Sequence, residues 1–163
     1  MRVVIDVNVL LAADGRADQA GPDCIRSCVV RLDAVRAQGC VVIDDRFRIV
    51  NHYCAHFRHA GQPGVGRRFL TWLLQNTTNK RCCESVTITP VNDKNRDFDE
   101  FPDDPDLYAF DRADQLWVAV ARACTGDPVI LNGTDRDWWA FRKPLRRHGV
   151  RVCFLCPELM EDR

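Results

Sequence analysis

The sequence has no long uncharged hydrophobic run and no excess of either charge. The opening segment, MRVVIDVNVLLAADG, is apolar but short, and it carries Asp6, which is atypical of a signal peptide or a membrane span. We therefore expect a soluble cytoplasmic protein without a membrane partner. With 23 basic and 23 acidic side chains the formal net charge is zero. No global field then attracts nucleic acid, and any phosphate binding must be local.

Two catalytic or cofactor motifs are also missing. No G-x-G-x-x-G turn follows the first apolar run, and the glycines within residues 61–66 have the wrong spacing for one, which argues against a dinucleotide-binding fold. A phosphatase with an aspartyl nucleophile usually needs a second acid as general acid, but the residue two positions after Asp6 is Asn8.

Strand-like and helix-like segments alternate along the 163 residues. Strands are predicted over residues 2–7, 40–43, 86–88, 128–131 and 150–155. Helices are predicted from Pro22 to Gly39, over about 46–59 and 67–76, from Asp111 or Asp114 to Cys124, and over about 137–147. The acidic, proline-bearing residues 90–106 predict a long loop. This alternation, without repeats or long linkers, predicts one domain over residues 1–163, a three-layer α/β/α sandwich around a mainly parallel sheet.

Cysteine, in contrast, is abundant, and its count of nine is odd. Most of the cysteines lie in apolar segments, which predicts reduced thiols buried as small hydrophobic side chains. This prediction covers Cys24, Cys28, Cys40, Cys124 and Cys153. The alternative is a zinc site built from Cys153 and Cys156 with Cys82, Cys83 or a histidine, although only the first pair has the spacing of a zinc-binding knuckle.

Three aspartates stand at the ends of predicted strands or helices. Asp6 follows the apolar residues 3–5, Asp114 opens an apolar helix, and Asp135 follows the apolar run 129–131 and a glycine turn. Acids that follow separate parallel strands can converge on one cleft. Such a cluster must be protonated or neutralised by a cation, and Mg²⁺ or Mn²⁺ suits carboxylate oxygens best.

Each acidic segment also has a purely structural explanation. Asp6 can cap the turn that follows it while Asn8 forms an Asx-turn. Asp111 and Asp114 share one face at a helix start, where capping aspartates are common. Asp137 is likewise a usual turn or cap residue.

Three segments in order carry a resemblance to a known family. They are Ile5-Asp6-Val7-Asn8-Val9-Leu10; Asp114 followed by Val118-Ala119-Val120-Ala121; and Asn132-Gly133-Thr134-Asp135-Arg136-Asp137-Trp138. They are similar to the D-x-N strand, the D-helix motif and the T-x-D-x-D-F loop of PIN-domain ribonucleases, the family of bacterial VapC-type toxins. The chain resembles this family over almost its whole length.

The resemblance implies a site and an activity. Asp6, Asp114 and Asp135 would hold Mg²⁺ or Mn²⁺, and Asn8 would orient Asp6 or the substrate. Further candidates for the site are Asp111, Asp137, His52 and Arg136. The activity would be hydrolysis of RNA phosphodiester bonds by a metal-activated water. The implied partners are an RNA substrate, a cognate antitoxin protein if the chain is the toxin of a toxin–antitoxin pair, and a second copy in a homodimer.

One position departs from the family pattern. The family carries a glutamate one residue before a tyrosine in the second helix, and here His52 precedes Tyr53. This departure has three possible consequences. The metal site is weakened, or Asp44 or Asp45 supplies the missing carboxylate. In the third case the chain is an interaction module that binds RNA or a protein without cutting. A surface or partly buried histidine without a role is the structural alternative.

Basic residues that could hold an RNA strand locally occur in two places. Arg67 and Arg68 follow the glycine-rich turn. The later cluster comprises Arg142, Lys143, Arg146, Arg147 and Arg151, and Arg136 lies beside Asp135. Charged runs on helices are more often solvated faces, so both readings stay open.

Overall fold

A five-stranded parallel sheet forms the centre of the molecule in the computed structural model, which describes residues 1–58 and 61–160. The strands are β1 (Arg2–Ile5), β2 (Cys40–Asp44), β3 (Cys83–Val86), β4 (Val129–Asn132) and β5 (Arg151–Phe154). Their order is β3-β2-β1-β4-β5. The predicted α/β three-layer architecture is confirmed, and the sheet is parallel throughout.

The described residues contain six α-helices. They are α1 (Val7–Ala13), α2 (Pro22–Gln38), α3 (Arg48–His56), α4 (Val65–Asn76), α5 (Gln115–Ala123) and α6 (Asp137–Arg147). Short 3-10 helices span Pro105–Leu107, Arg112–Asp114 and Pro157–Leu159. Helices α1, α2 and α4 pack on one another, whereas α5 packs on β1, β2 and β4. None of the helices in the described ranges is both long and apolar enough to cross a membrane.

The central strand, β1, consists largely of apolar side chains that favour a buried position. Val3, Val4 and Ile5 are all completely buried, as expected for a parallel strand covered on both faces. The carbonyl oxygen of Ile5 accepts hydrogen bonds from the Tyr53 hydroxyl of α3 and from the Trp117 indole N–H of α5. Two helices therefore fix the end of β1, the point at which Asp6 leaves the sheet.

Most predicted elements are present, with three differences. The third strand spans Cys83–Val86 rather than residues 86–88. Helix α1 was not predicted, and it begins at Val7, so the first strand ends at Ile5 rather than at residue 7. The helix predicted over 46–59 spans Arg48–His56, and residue 59 lies outside the described residues. Residues 90–106 form the expected irregular segment, with one isolated bridge between Pro90 and Phe98 and the start of a 3-10 helix at Pro105.

The prediction of reduced cysteines is wrong for one pair. Cys24 of α2 forms a disulfide with Cys156, which follows β5. The seven other cysteines are free, as predicted. The zinc alternative also fails, because the disulfide removes Cys156 from the pair Cys153 and Cys156. In addition, Cys82 and Cys83 lie at the β3 edge of the sheet, opposite the β5 edge.

Candidate metal centre

Asp6 lies at the junction between β1 and α1. Its backbone N–H donates to Leu131 O at 3.0 Å, which extends the contact between β1 and β4 by one residue. Its Oδ1 accepts from the Asn8 N–H at 3.1 Å and caps α1, so the capping role is real. Its Oδ2 is buried and accepts no hydrogen bond of normal geometry among the described residues, although the neighbouring Trp138 indole N–H, also unpartnered, lowers the pKa of Asp6. Capping thus uses one carboxylate oxygen and leaves the other unsatisfied.

Asn8 connects α1 to the loop after β4. Its side-chain Oδ1 accepts from the backbone N–H of Gly133 at 2.7 Å. A Cβ atom at position 133 would lie 3.1 Å from that oxygen and 3.4 Å from Cys28 Sγ, so glycine permits the close approach. Asn8 therefore positions the loop that carries Asp135.

The other two acids come from helix starts. Asp114 ends the 3-10 helix Arg112–Asp114 and precedes α5 directly, while Asp135 accepts from the Asp137 N–H at 2.9 Å just before α6. One carboxylate oxygen from each of Asp6, Asp114 and Asp135 lies within 4.8 Å of the other two. The predicted proximity of the three carboxylates is confirmed.

The carboxylates repel one another in a partly dry environment. Burial, aided by the charge of Asp135, raises the pKa of Asp6 to about 7, although the hydrogen bond from the Asn8 N–H lowers it. Burial and the charges of Asp6 and Asp135 raise the pKa of Asp114 to about 8. Burial also raises the pKa of Asp135. Protons or a cation must therefore neutralise the cluster near neutral pH.

An open cleft of about 610 Å³ surrounds the cluster. Its lining comprises Asp6, Val7, Asn8, Gln19, His52, His56, Asp114, Thr134, Asp135 and Arg136. Of the residues that the sequence had not indicated, His56 lies one turn after His52 on α3, so the helical spacing could have found it. Gln19 lies in the loop between α1 and α2, and no sequence signal marks it.

Two of the further candidates lie outside this lining. Asp111 is exposed and accepts from the Ala113 N–H at 2.9 Å, which caps the 3-10 helix. Asp137 is exposed at the first position of α6. Both still act on the site through their charge, since each raises the pKa of Asp114 and of Asp135.

His52 faces the cleft from α3. Its ring meets the Trp117 ring edge-on at 4.9 Å between centroids and lies 4.9 Å from the ring of His56. Burial, aided by the charge of His56, lowers the pKa of His52, which favours the neutral imidazole. Position 52 therefore faces the cleft without the negative charge that a glutamate would supply.

The suggestion that Asp44 or Asp45 replaces the expected acid is wrong. Asp44 is completely buried, and its carboxylate accepts from the backbone N–H groups of Arg46, Arg48 and Ile49 and pairs with the Arg48 guanidinium. Asp45 accepts from the Thr87 hydroxyl at 2.7 Å. Neither residue lines the cleft. Asp44 is a capping residue of α3.

We expect Asp44→Ala to destabilise the fold by about 2–4 kcal/mol, because it leaves buried N–H donors without an acceptor. Urea unfolding measures this loss, and Asp45→Ala serves as the exposed neighbouring control. Metal affinity of the folded variant should equal that of the wild type. A loss of metal binding without a loss of stability would restore Asp44 to the site.

Comparison with known proteins gives no matching family model, no similar curated protein and no similar solved structure. The fold and the site together define an α/β protein whose three-carboxylate cleft lies at the carboxyl ends of β1 and β4. The resemblance to PIN-domain ribonucleases stays a prediction from the sequence.

Proposed function

We propose that this protein is a Mg²⁺- or Mn²⁺-dependent endoribonuclease. The observation that carries the proposal is the convergence of Asp6, Asp114 and Asp135, from three separate elements, to within 4.8 Å in an open cleft. Carboxylates that serve only as helix caps have no reason to converge, because each cap needs only its own helix. The cognate antitoxin and the homodimer implied by the family resemblance belong to the same proposal.

The residues present fit a hard divalent cation. The three carboxylates supply an all-oxygen donor set, which Mg²⁺ and Mn²⁺ prefer. The unpartnered Oδ2 of Asp6 would gain a partner, and the raised pKa values of Asp6 and Asp114 would fall on binding. The chemistry that such an ion supplies when bound is activation of a water and stabilisation of charge on a phosphate.

The neighbouring residues have separate tasks. Asn8 holds the loop of Asp135 in place through Gly133. Arg136 lies at the cleft and carries the positive charge suited to a phosphate oxygen. The neutral imidazole of His52 can accept a proton within the cleft. No covalent intermediate on a side chain is required.

The test is a joint measurement of metal binding and RNA cleavage. Titration calorimetry with Mn²⁺ on metal-stripped protein should show binding, and a single-stranded RNA labelled at one end should be cut internally only when Mg²⁺ or Mn²⁺ is added. DNA of the same base sequence is the substrate control. Absence of both metal binding and cleavage would overturn the proposal.

A second candidate function has one observation in its favour. His52 stands where the resembled family has a glutamate, so the chain is alternatively a catalytically weakened module that binds RNA or a protein partner. The two functions differ in the consequence of restoring an acid at this position.

We expect His52→Glu to raise Mg²⁺ affinity by about tenfold, which corresponds to roughly 1.4 kcal/mol, because it adds a fourth hard ligand at the cleft wall. In EDTA the same variant should melt at a lower temperature than the wild type, since the added charge joins three others. His52→Gln, which removes the imidazole without adding charge, is the matched control. If the two variants behave alike in calorimetry, position 52 does not contribute to metal binding.

A further inference from the structure

A second groove lies between α6 and the edge strand β5, separate from the acidic cleft. Its volume is about 470 Å³. Four side chains of α6 line it at helical spacing, so they share one face: Trp139, Arg142, Lys143 and Arg146. Arg151 and Phe154 line it from β5. We call this surface the basic groove.

Much of the positive charge of the basic groove is not neutralised. Lys143 and Arg146 make no ion pair with any described residue, and no acidic side chain appears in the lining. Arg151 is paired with Asp127 at 2.8 Å. In a chain of zero net charge this is a local concentration of cations. Arg147 is not part of the basic groove, because its guanidinium forms ion pairs with Asp104 and Asp106.

Flat, delocalised groups accompany these charges. The Arg142 guanidinium lies over the Trp139 indole, 3.8 Å from the ring centroid, and Trp139 meets Phe154 edge-on at 5.1 Å. Bases of unpaired RNA stack on aromatic rings and on guanidinium planes, whereas bases within a duplex do not expose their faces. Cations combined with stacking surfaces fit a single strand rather than a duplex or an acidic peptide.

The basic groove begins next to the acidic cleft. Asp135 and Arg136 line the cleft immediately before α6 starts, and Trp139 is in the first turn of that helix. Phe154 ends β5 at the carboxyl-terminal end of the parallel strands, where the cleft also lies. Helix α6 has 11 residues and is therefore about 16 Å long. The groove thus leads away from the cleft between α6 and the edge strand β5.

We propose that the basic groove binds the single-stranded RNA that flanks the cleaved phosphate, with bases on Trp139, Arg142 and Phe154 and phosphates on Lys143, Arg146 and Arg151. This inference rests on the proposed ribonuclease function for its choice of ligand, but binding to the groove needs no metal. It assigns substrate recognition to α6 and β5, away from the reacting atoms.

Binding is tested by fluorescence anisotropy with a fluorescein-labelled oligouridylate of ~10 nucleotides in EDTA, so that cleavage cannot occur. Lys143→Gln/Arg146→Gln should weaken binding about tenfold and reduce the slope of log affinity against log salt by about 1.4, the loss of two phosphate contacts. The matched control is Lys80→Gln/Arg81→Gln, which removes one lysine and one arginine from an exposed loop before β3. That control should bind as the wild type does.

Stacking is tested separately from charge. Trp139→Leu should weaken binding about tenfold at an unchanged salt slope, and Trp139→Phe should restore most of it. A duplex of the same length should bind more weakly than the single strand. Melting temperatures of all variants establish that they are folded.

The outcomes separate this inference from the proposed function. If the wild type does not bind the oligouridylate, or if the groove and control variants bind equally, the basic groove is not an RNA site. Equal binding of the duplex overturns the single-strand assignment. If the groove variants lose binding while the wild type never cleaves RNA with Mg²⁺ or Mn²⁺, the groove stands and the nuclease proposal fails.

Discussion

Asp6→Asn should reduce metal-dependent RNA cleavage by at least about a thousandfold, or ~4 kcal/mol of transition-state stabilisation, while it raises the melting temperature of the metal-free protein. The substitution removes one of the three carboxylates that would hold the ion. It keeps an oxygen that can accept from the Asn8 N–H, so the cap of α1 persists. Cleavage rates and thermal melts in EDTA measure the two effects.

The gain in stability follows from the direction of the pKa shift. Burial raises the pKa of Asp6 to about 7 in the folded protein, against about 3.9 in an unfolded chain. The folded state therefore holds this proton more tightly, and the ionised group reduces stability progressively as the pH rises from about 4 to about 7. Asp6→Asn should gain about 2–4 kcal/mol at pH 8 and clearly less at pH 5.

Bound metal should reverse this difference in stability between the wild type and Asp6→Asn. Saturating Mg²⁺ should stabilise the wild type but not Asp6→Asn, by ~2.7 kcal/mol at a hundred times the dissociation constant. Asp33→Asn, an exposed aspartate on α2, is the control for the substitution itself. Full cleavage by Asp6→Asn would contradict a metal site at Asp6, and an unchanged or lower melting temperature in EDTA would contradict the repulsion argument.

Loss of the disulfide should have a comparably large effect on stability. Cys24 and Cys156 are separated by 132 positions in the sequence. Closing a loop of that length is worth about 5 kcal/mol in the chain-entropy description. Cys24→Ala/Cys156→Ala should therefore lower the melting temperature by about 10–20 °C.

The design of this experiment depends on a third cysteine. Cys28 Sγ lies within 4.8 Å of both disulfide sulfurs. A single substitution at Cys24 would leave Cys28 and Cys156 able to pair, so only the double variant removes the cross-link. Cys28→Ala is the matched control, since it deletes a buried thiol without opening a bridge. Thiol labelling of the denatured wild type should find seven free cysteines, and nine would contradict the bond.

The position of the acidic site was predictable because it depends on strand ends. Asp6 and Asp135 each follow a buried apolar run, and parallel strands bring such residues to one edge of a sheet. Asp114 precedes the nearly all-apolar helix α5. These signals are local in the sequence, so a single chain reveals them.

Features that depend on tertiary contacts were not predictable in this way. Residues 3–11 are apolar apart from Asp6 and Asn8, and a short apolar run does not distinguish a strand from a buried helix, so α1 was missed. β-branched residues 86–88 suggested a strand, but pairing with β2 sets the register and places β3 at residues 83–86. The disulfide joins residues whose approach only the finished fold creates.

The strand order also governs when the protein acquires its cleft during synthesis. β1 leaves the ribosome first, but one of its two neighbours is β4, with Val3 opposite Val129. Such distant pairing forms slowly and late. A nascent chain that has exposed only residues 1–110 carries Asp6 without Asp114 or Asp135. If the proposed ribonuclease activity is present, it would therefore require that the chain beyond Asp135 has left the ribosome and that β4 has paired with β1.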